Sequence, residues 1–158
     1  MSTGSTPDRP AFRLRPGRRG DAEALRYLVA ELGQGDVADA QTVSWLVSHP
    51  EIELVVAVDT LDRCIGVISL SHRPQLRLGG RIATFDELIV TESWRRRGVG
   101  KALLQNAVTR ARTLGVRRIE IYPHAVHYPT AHAFCIAGGF QEVPGGIMRM
   151  DFPAPARR

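Results

Sequence analysis

The stretch that most limits how this chain can fold is residues 88–104, Leu-Ile-Val-Thr-Glu-Ser-Trp-Arg-Arg-Arg-Gly-Val-Gly-Lys-Ala-Leu-Leu. It begins as an apolar, β-branched run, the mark of a buried strand. It ends in an amphipathic helix, with Val99, Leu103, Ala107 and Ala111 at four-residue spacing and Leu104 and Val108 beside them. A strand that turns through glycines straight into a long helix implies a sheet with a helix packed on it. The turn itself has a chemical property. The first N–H groups of a helix lack internal partners, and the helix dipole adds partial positive charge there. Gly98 and Gly100 let a ligand approach the backbone closely, and Arg95, Arg96 and Arg97 add cations at the rim. Such a turn is a cradle for an anion, and a pyrophosphate is the natural guest.

The rest of the chain supplies the sheet. Phe12–Arg15 alternates as a short strand. A helix is expected from Asp21, as its cap, to about Leu32, and a second over Ala40–Ser48, with Trp45 in its core face. Glu53–Val58 and Cys64–Ser71 read as an antiparallel hairpin, His72–Gly80 as an irregular arginine-rich loop, and Arg81–Val90 as a third long strand. After the central helix come a strand at Val116–Tyr122, a short helix at Pro129–Ala137 and a last hairpin of Phe140–Val143 with Ile147–Phe152. The order is β-α-α-β-β-β-α-β-α-β-β. This predicts an α/β (α+β type) fold: a mixed, mostly antiparallel central sheet of about 6–7 strands flanked by about four helices. The 158-residue length fits one domain, expected over 11–153, with a disordered tail at 1–10 and a short tail at 154–158.

Three kinds of phosphate cradle share this general form. A P-loop requires Ser or Thr after Gly100-Lys101 and a glycine at position 95, and the chain has Ala102 and Arg95. A dinucleotide fingerprint requires a small residue where Leu103 stands and normally follows the first strand. What remains is Arg-x-x-Gly-x-Gly at Arg95, Gly98 and Gly100. With its preceding Leu-x-Val strand and following helix, this segment resembles the GNAT superfamily of N-acetyltransferases, which hold the pyrophosphate of acetyl-coenzyme A with Gln/Arg-x-x-Gly-x-Gly/Ala. Ala131–Phe140, ending in Gly138-Gly139-Phe140, resembles that superfamily's second helix motif. The resemblance spans about residues 12–152.

The resemblance implies acetyl-CoA as co-substrate and a V-shaped splay between two central parallel strands that admits it. It implies that the strand Leu88, Ile89, Val90 pairs with the pantetheine arm, with a main-chain N–H near Leu88 polarising the thioester. Arg95, Arg96, Arg97, Gly98, Val99, Gly100 and Lys101 would then form the pyrophosphate loop. One position departs from the pattern: Cys135 stands where the superfamily commonly has a tyrosine that protonates the leaving thiolate. Cys135 is then either that acid or a small apolar filler, and Tyr128 or a water is the alternative proton source.

Acyl transfer to an amine also needs a proton acceptor. Asp86 and Glu87, two carboxylates in an otherwise apolar strand, are the candidates. Strict alternation sends them to opposite faces, and a bulge would change that. The competing reading is a structural ion pair with Arg81 or Arg118. His124, His127 and His132 read as loop histidines, and no metal site is expected, because no Cys/His set has zinc spacing.

Composition narrows the partners. The net charge is +5, and 20 of the 21 basic residues are arginine, so the anionic-ligand reading is assigned to the Arg95–Arg97 run rather than to the scattered arginines. Basic–aromatic interleaving and helix-turn-helix signatures are missing, so no specific nucleic-acid partner is expected. Neither a long apolar stretch nor a signal-like start is present, and Cys64 and Cys135 form no disulfide framework. A cytoplasmic protein without a membrane partner is therefore expected. The leading expectation is an N-acetyltransferase acting on a small-molecule primary amine by direct attack in a ternary complex. A protein N-terminal or lysine acetyltransferase and a non-catalytic acyl-CoA-binding or regulatory module are the alternatives. By resemblance, a homodimer formed through Ile147–Phe152 is possible.

Overall fold

The computed structural model describes residues 11–33, 39–122, 128–145 and 148–152, with the backbone alone for Tyr128. Five strands form one sheet in sequence order: β1 (Arg13–Pro16), β2 (Ile52–Val58), β3 (Cys64–Gln75), β4 (Gly80–Val90) and β5 (Val116–Ile121). The first four are antiparallel neighbours. β5 lies parallel to β4, because a 15-residue helix, α3 (Val99–Thr113), carries the chain back across the sheet. The remaining helices are α1 (Ala22–Ala30), α2 (Ala40–Ser48) and α4 (Tyr128–Ala137).

The sheet is buried on both faces by different helices. On one face Ile68, Leu70, Ala83 and Phe85 pack against Val99, Leu103, Ala107 and Ala111 of α3. On the other, Val56, Val67 and Ile89 meet Leu25 and Leu28 of α1 and Val43 of α2. The helix-period apolar stripe read from α3 is thus the face that Leu103 buries completely. α3 lies so close to β3 that a Cβ on Gly66 would come within 3.0 Å of the Ile89 carbonyl and 3.2 Å of Leu103. Glycine there sets the height of the helix above the sheet.

Several expectations change. The sheet has five strands among the described residues, fewer than expected, because Phe140–Val143 and Met148–Phe152 form no strand; Gly146 and Ile147 lie outside the described residues. His72–Gly80 is not an irregular loop. β3 runs on to Gln75, a 3-10 turn at Leu76–Leu78 reverses the chain, and β4 starts at Gly80. Polar residues masked this extension: Arg73 pairs with Ile82 and Pro74 with Arg81, at a sheet end where one face is solvated. Trp45 is 58% exposed and lies edge-on to His49, leaving Val43 to anchor α2. Asp21 does not cap α1 with its side chain. It is buried against Arg15, which reaches both its carboxylate oxygens at 2.7 and 2.8 Å, and it accepts the Arg18 N–H. Burial opposes that charge, but the Arg15 and Arg18 hydrogen bonds win and hold its pKa low. No helix of the described residues is long and apolar enough to cross a membrane.

Candidate active site

β4 and β5 pair only from Arg81↔Val116 to Phe85↔Ile121. Beyond Phe85, Asp86–Val90 has no strand on that side among the described residues, and there the sheet forks. The direction of the open backbone follows from alternation. Thr91 N–H donates to the Ile65 carbonyl at 2.9 Å, and Glu87 N–H to Ser69 Oγ at 3.1 Å, both toward β3. Leu88 and Val90, at the intervening positions, therefore turn their N–H and C=O groups into the fork. A free strand edge facing an open slot can take an extended, amide-bearing arm as a neighbouring strand would.

The fork ends at the α3 cradle. Gly98 precedes the helix with φ +86°, a left-handed conformation that glycine adopts without a Cβ penalty. Arg96 also has a positive φ, of 61°. The first helical bond is Ala102 N–H to Gly98 O at 3.0 Å, which leaves the amides of Val99, Gly100 and Lys101 unbonded within the helix. Phe134 of α4 backs Gly100, 3.6 Å from where a Cβ would stand. The three arginines differ in placement. Arg97 lies over the Trp94 ring, 5.5 Å from its centroid, and Trp94 packs against the α3-side core. Arg95 donates from Nε to the Val90 carbonyl at 2.9 Å and lies 3.6 Å from Glu31 at the end of α1.

The acidic pair sits at the fork on a bulge. Opposite Ser69 and Leu70 stand Glu87 and Phe85, so Asp86 is the extra residue. Parity inverts there: Ala83 and Phe85 face α3 before the bulge, and Leu88 and Val90 pack against that same side after it. Both carboxylates consequently face the α1/α2 side. Ser69 donates a short hydrogen bond to Glu87, and Ser71, two residues on along β3, hydrogen-bonds Asp86. Simple alternation, which separates the pair, fails here. No described ion pair joins either carboxylate to Arg81 or Arg118; Arg81 instead bridges to Glu51 and His72. Burial raises the Asp86 pKa against the opposing pull of Ser71.

Across the fork stand two residues the sequence reading did not single out. Ile119 and Ile121 point to the α3 core, so Glu120 leaves on the other face, and Tyr122 donates its hydroxyl to it at 2.7 Å. That bond, ahead of burial, raises the Tyr122 pKa. Alternation within Val116–Tyr122 was the available signal. Cys135 is buried in α4, and burial raises its thiol pKa, so the thiol stays protonated, as both the filler and the proton-donor readings require. His132 pairs with Glu142 at 3.0 Å; His124, His127 and the Tyr128 side chain lie outside the described residues. Among the described residues no cluster of His, Cys, Asp and Glu could hold a metal ion. A groove of about 430 Å³ runs along α1 past Tyr27, Glu31, Cys64 and Thr91.

A sheet that opens between two parallel strands beside a helix amino-terminus places the chain in the mixed α/β class, with one helix-backed slot in the sheet. The chain belongs to the acetyltransferase (GNAT) family, whose profile matches residues 21–135. Solved structures agree on the fold. A Trypanosoma brucei acetyltransferase superposes with a TM-score of 0.74 at 21% identity, over 90% of this chain and 100% of that one. A Bacillus halodurans transcriptional regulator gives 0.80 at 21% identity, over 90% and 100%. An aminoglycoside acetyltransferase from an uncultured soil sample, in complex with sisomicin, gives 0.71 at 16% identity, over 89% and 97%. No curated protein matches the chain.

Proposed function

We propose that this protein transfers an acetyl group from acetyl-CoA to a primary amine of a small molecule, by direct attack with both substrates bound. The residues present fit acetyl-CoA: a strand edge open at Leu88 and at the Val90 N–H, unbonded amides at Val99–Lys101, a left-handed Gly98, and Arg96 and Arg97 at the rim. Acetyl-CoA supplies an activated thioester, and the protein supplies placement, a partner for the carbonyl oxygen and proton transfer. The Leu88 N–H, turned into the fork, is the carbonyl's hydrogen-bond donor. Asp86 takes a proton from the ammonium form of the acceptor, so that the neutral nitrogen attacks as the carbon–sulfur bond breaks. Its raised pKa suits it to that work. Glu87, held by Ser69, anchors the incoming amine. The departing sulfur takes its proton from Tyr128, Cys135 or solvent.

The single observation carrying this reading is the bulge at Asp86, which brings both carboxylates to one face at the point where the strands part. A small-molecule amine acceptor is in keeping with the fold's likeness to an aminoglycoside acetyltransferase solved with sisomicin. The test is a thiol-release screen across amine classes with wild type, Asp86→Asn and Glu87→Gln. Turnover on a small amine, with D86N lowering kcat by about 10²- to 10⁴-fold and E87Q acting mainly on the acceptor KM, is expected. A second reading, a regulatory acyl-CoA binder, is favoured by the buried thiol at Cys135. It requires acetyl-CoA binding without thiol release for any amine, peptide amines included.

A further inference from the structure

The arginine that opens the anion-binding loop does not face the loop's anion site. Arg95 turns back along β4, donating from Nε to the Val90 carbonyl at 2.9 Å, with Nη2 3.6 Å from Glu31 Oε2. Glu31, just past the end of α1, also accepts the Thr91 hydroxyl at 2.7 Å and the Glu92 N–H at 3.3 Å. One carboxylate thus accepts two hydrogen bonds from the five-residue segment Thr91–Arg95 and lies in a longer ion-pair contact with its arginine. That segment decides where β4 stops and in what direction the chain enters α3. Glu31 lies 60 residues from Thr91 in sequence, so these contacts tie α1, on one face of the sheet, to the turn that starts the helix on the other.

We propose that Glu31 and Arg95 are positioning residues: together they brace the β4–α3 turn, and the diphosphate is held by main-chain amides with Arg96 and Arg97 rather than by the Arg95 side chain. This rests on the acetyl-CoA reading above for the identity of the anion, but not for the brace itself. The Arg95 guanidinium is already spent on a carbonyl and a carboxylate. A charge-assisted pair of this kind fixes geometry, and here it fixes the carbonyl at the end of the open edge. Arg97 makes no described ion pair and rests on Trp94, free to turn its charge to a ligand. The brace also accounts for why the Arg95 guanidinium lies beside the fork rather than over the helix start.

The experiment has two arms on the full chain. In the first, amide hydrogen exchange is followed without any ligand. Glu31→Ala and Arg95→Ala are expected to speed exchange across residues 91–98 about tenfold, as a hydrogen-bonded contact worth one decade is lost, while Arg96→Ala and Arg97→Ala leave that segment protected. In the second, binding of coenzyme A is measured against salt. E31A and R95A are expected to weaken it about tenfold with the wild-type salt dependence retained, whereas R97A flattens the salt dependence. R95Q, which keeps a donor for the Val90 carbonyl but no charge, is expected to recover most of the affinity. The acceptor KM stays near wild type in E31A. Unchanged exchange in E31A overturns the brace whether or not coenzyme A binds. An R95Q protein as weak as R95A, with a flattened salt dependence, overturns it by making Arg95 a phosphate ligand. Failure of wild type to bind coenzyme A, with the exchange pattern as expected, removes the acetyl-CoA reading and leaves the brace standing.

Discussion

At the scale of single residues, Ser71 makes the most specific contribution to the chemistry proposed. Its hydrogen bonds to Asp86 favour the carboxylate, while burial favours the neutral acid, and burial prevails. Ser71→Ala removes the hydroxyl's share of the opposing pull and leaves the main-chain share. The Asp86 pKa then rises further, and the acid limb of the pH–kcat profile moves to higher pH, while the limb at high pH stays put. A limb that does not move, in a variant that still turns over, removes Asp86 from the proton-acceptor role. His72 gives a second residue-scale prediction, for stability. It is 6% exposed, its Nδ1 faces Arg81, and its Nε2 has no hydrogen-bond partner among the described residues. Burial, then Arg81, lowers its pKa below the ordinary 6.5, against the pull of Glu53 and Glu51. The unfolded chain therefore takes up a proton that the native one refuses. Stability contributed this way is full above the ordinary value and falls as pH drops through it toward the lowered one. Urea midpoints are expected to fall between about pH 7 and pH 5, and His72→Gln to flatten that fall. None of this was legible in the sequence, where His72 sits in an arginine-rich stretch that reads as a loop.

At the scale of elements, the strand–turn–helix unit at the centre was readable because every signal in it agrees: β-branched run, glycines, helical period. The structure places α3 at Val99–Thr113 and β4 ending at Val90, as that pattern implies. The bulge was not readable. Asp86-Glu87 looks like any polar interruption of a strand, and the extra residue appears only when β4 is set against Ser69 and Leu70 of β3. The proposed chemistry thus depends on a register that local sequence does not encode. Packing sets the other element-scale expectation. Leu103 is fully buried where α3 crosses β3 over Gly66. Leu103→Ala is expected to cost about 2–5 kcal/mol in urea unfolding, since so tight a contact cannot collapse around the void. A cost under about 1 kcal/mol would mean that α3 is not pinned there.

At the scale of the whole molecule, the sheet separates two tasks. The α3 face carries a core cluster and the helix whose first turn is the candidate anion cradle, and the α1/α2 face carries the carboxylates, Tyr122 and Glu120. The fork between β4 and β5 lies between the two, and under the proposed function an acyl group held there meets the acceptor at Asp86. Overall element order was legible up to the last helix. The terminal hairpin, Phe140–Val143 with Ile147–Phe152, was expected from the turn residues Pro144-Gly145-Gly146, yet Met148 and Phe152 are 97% and 82% exposed and form no strand. Turn residues alone, without a partner edge to pair with, make no sheet. The most direct test of the account is an amide NMR titration of the intact protein with coenzyme A. The account predicts that the largest shifts fall on Leu88, Val90 and Val99–Lys101, saturating together. Saturable binding that leaves those amides unmoved and shifts another surface would contradict it.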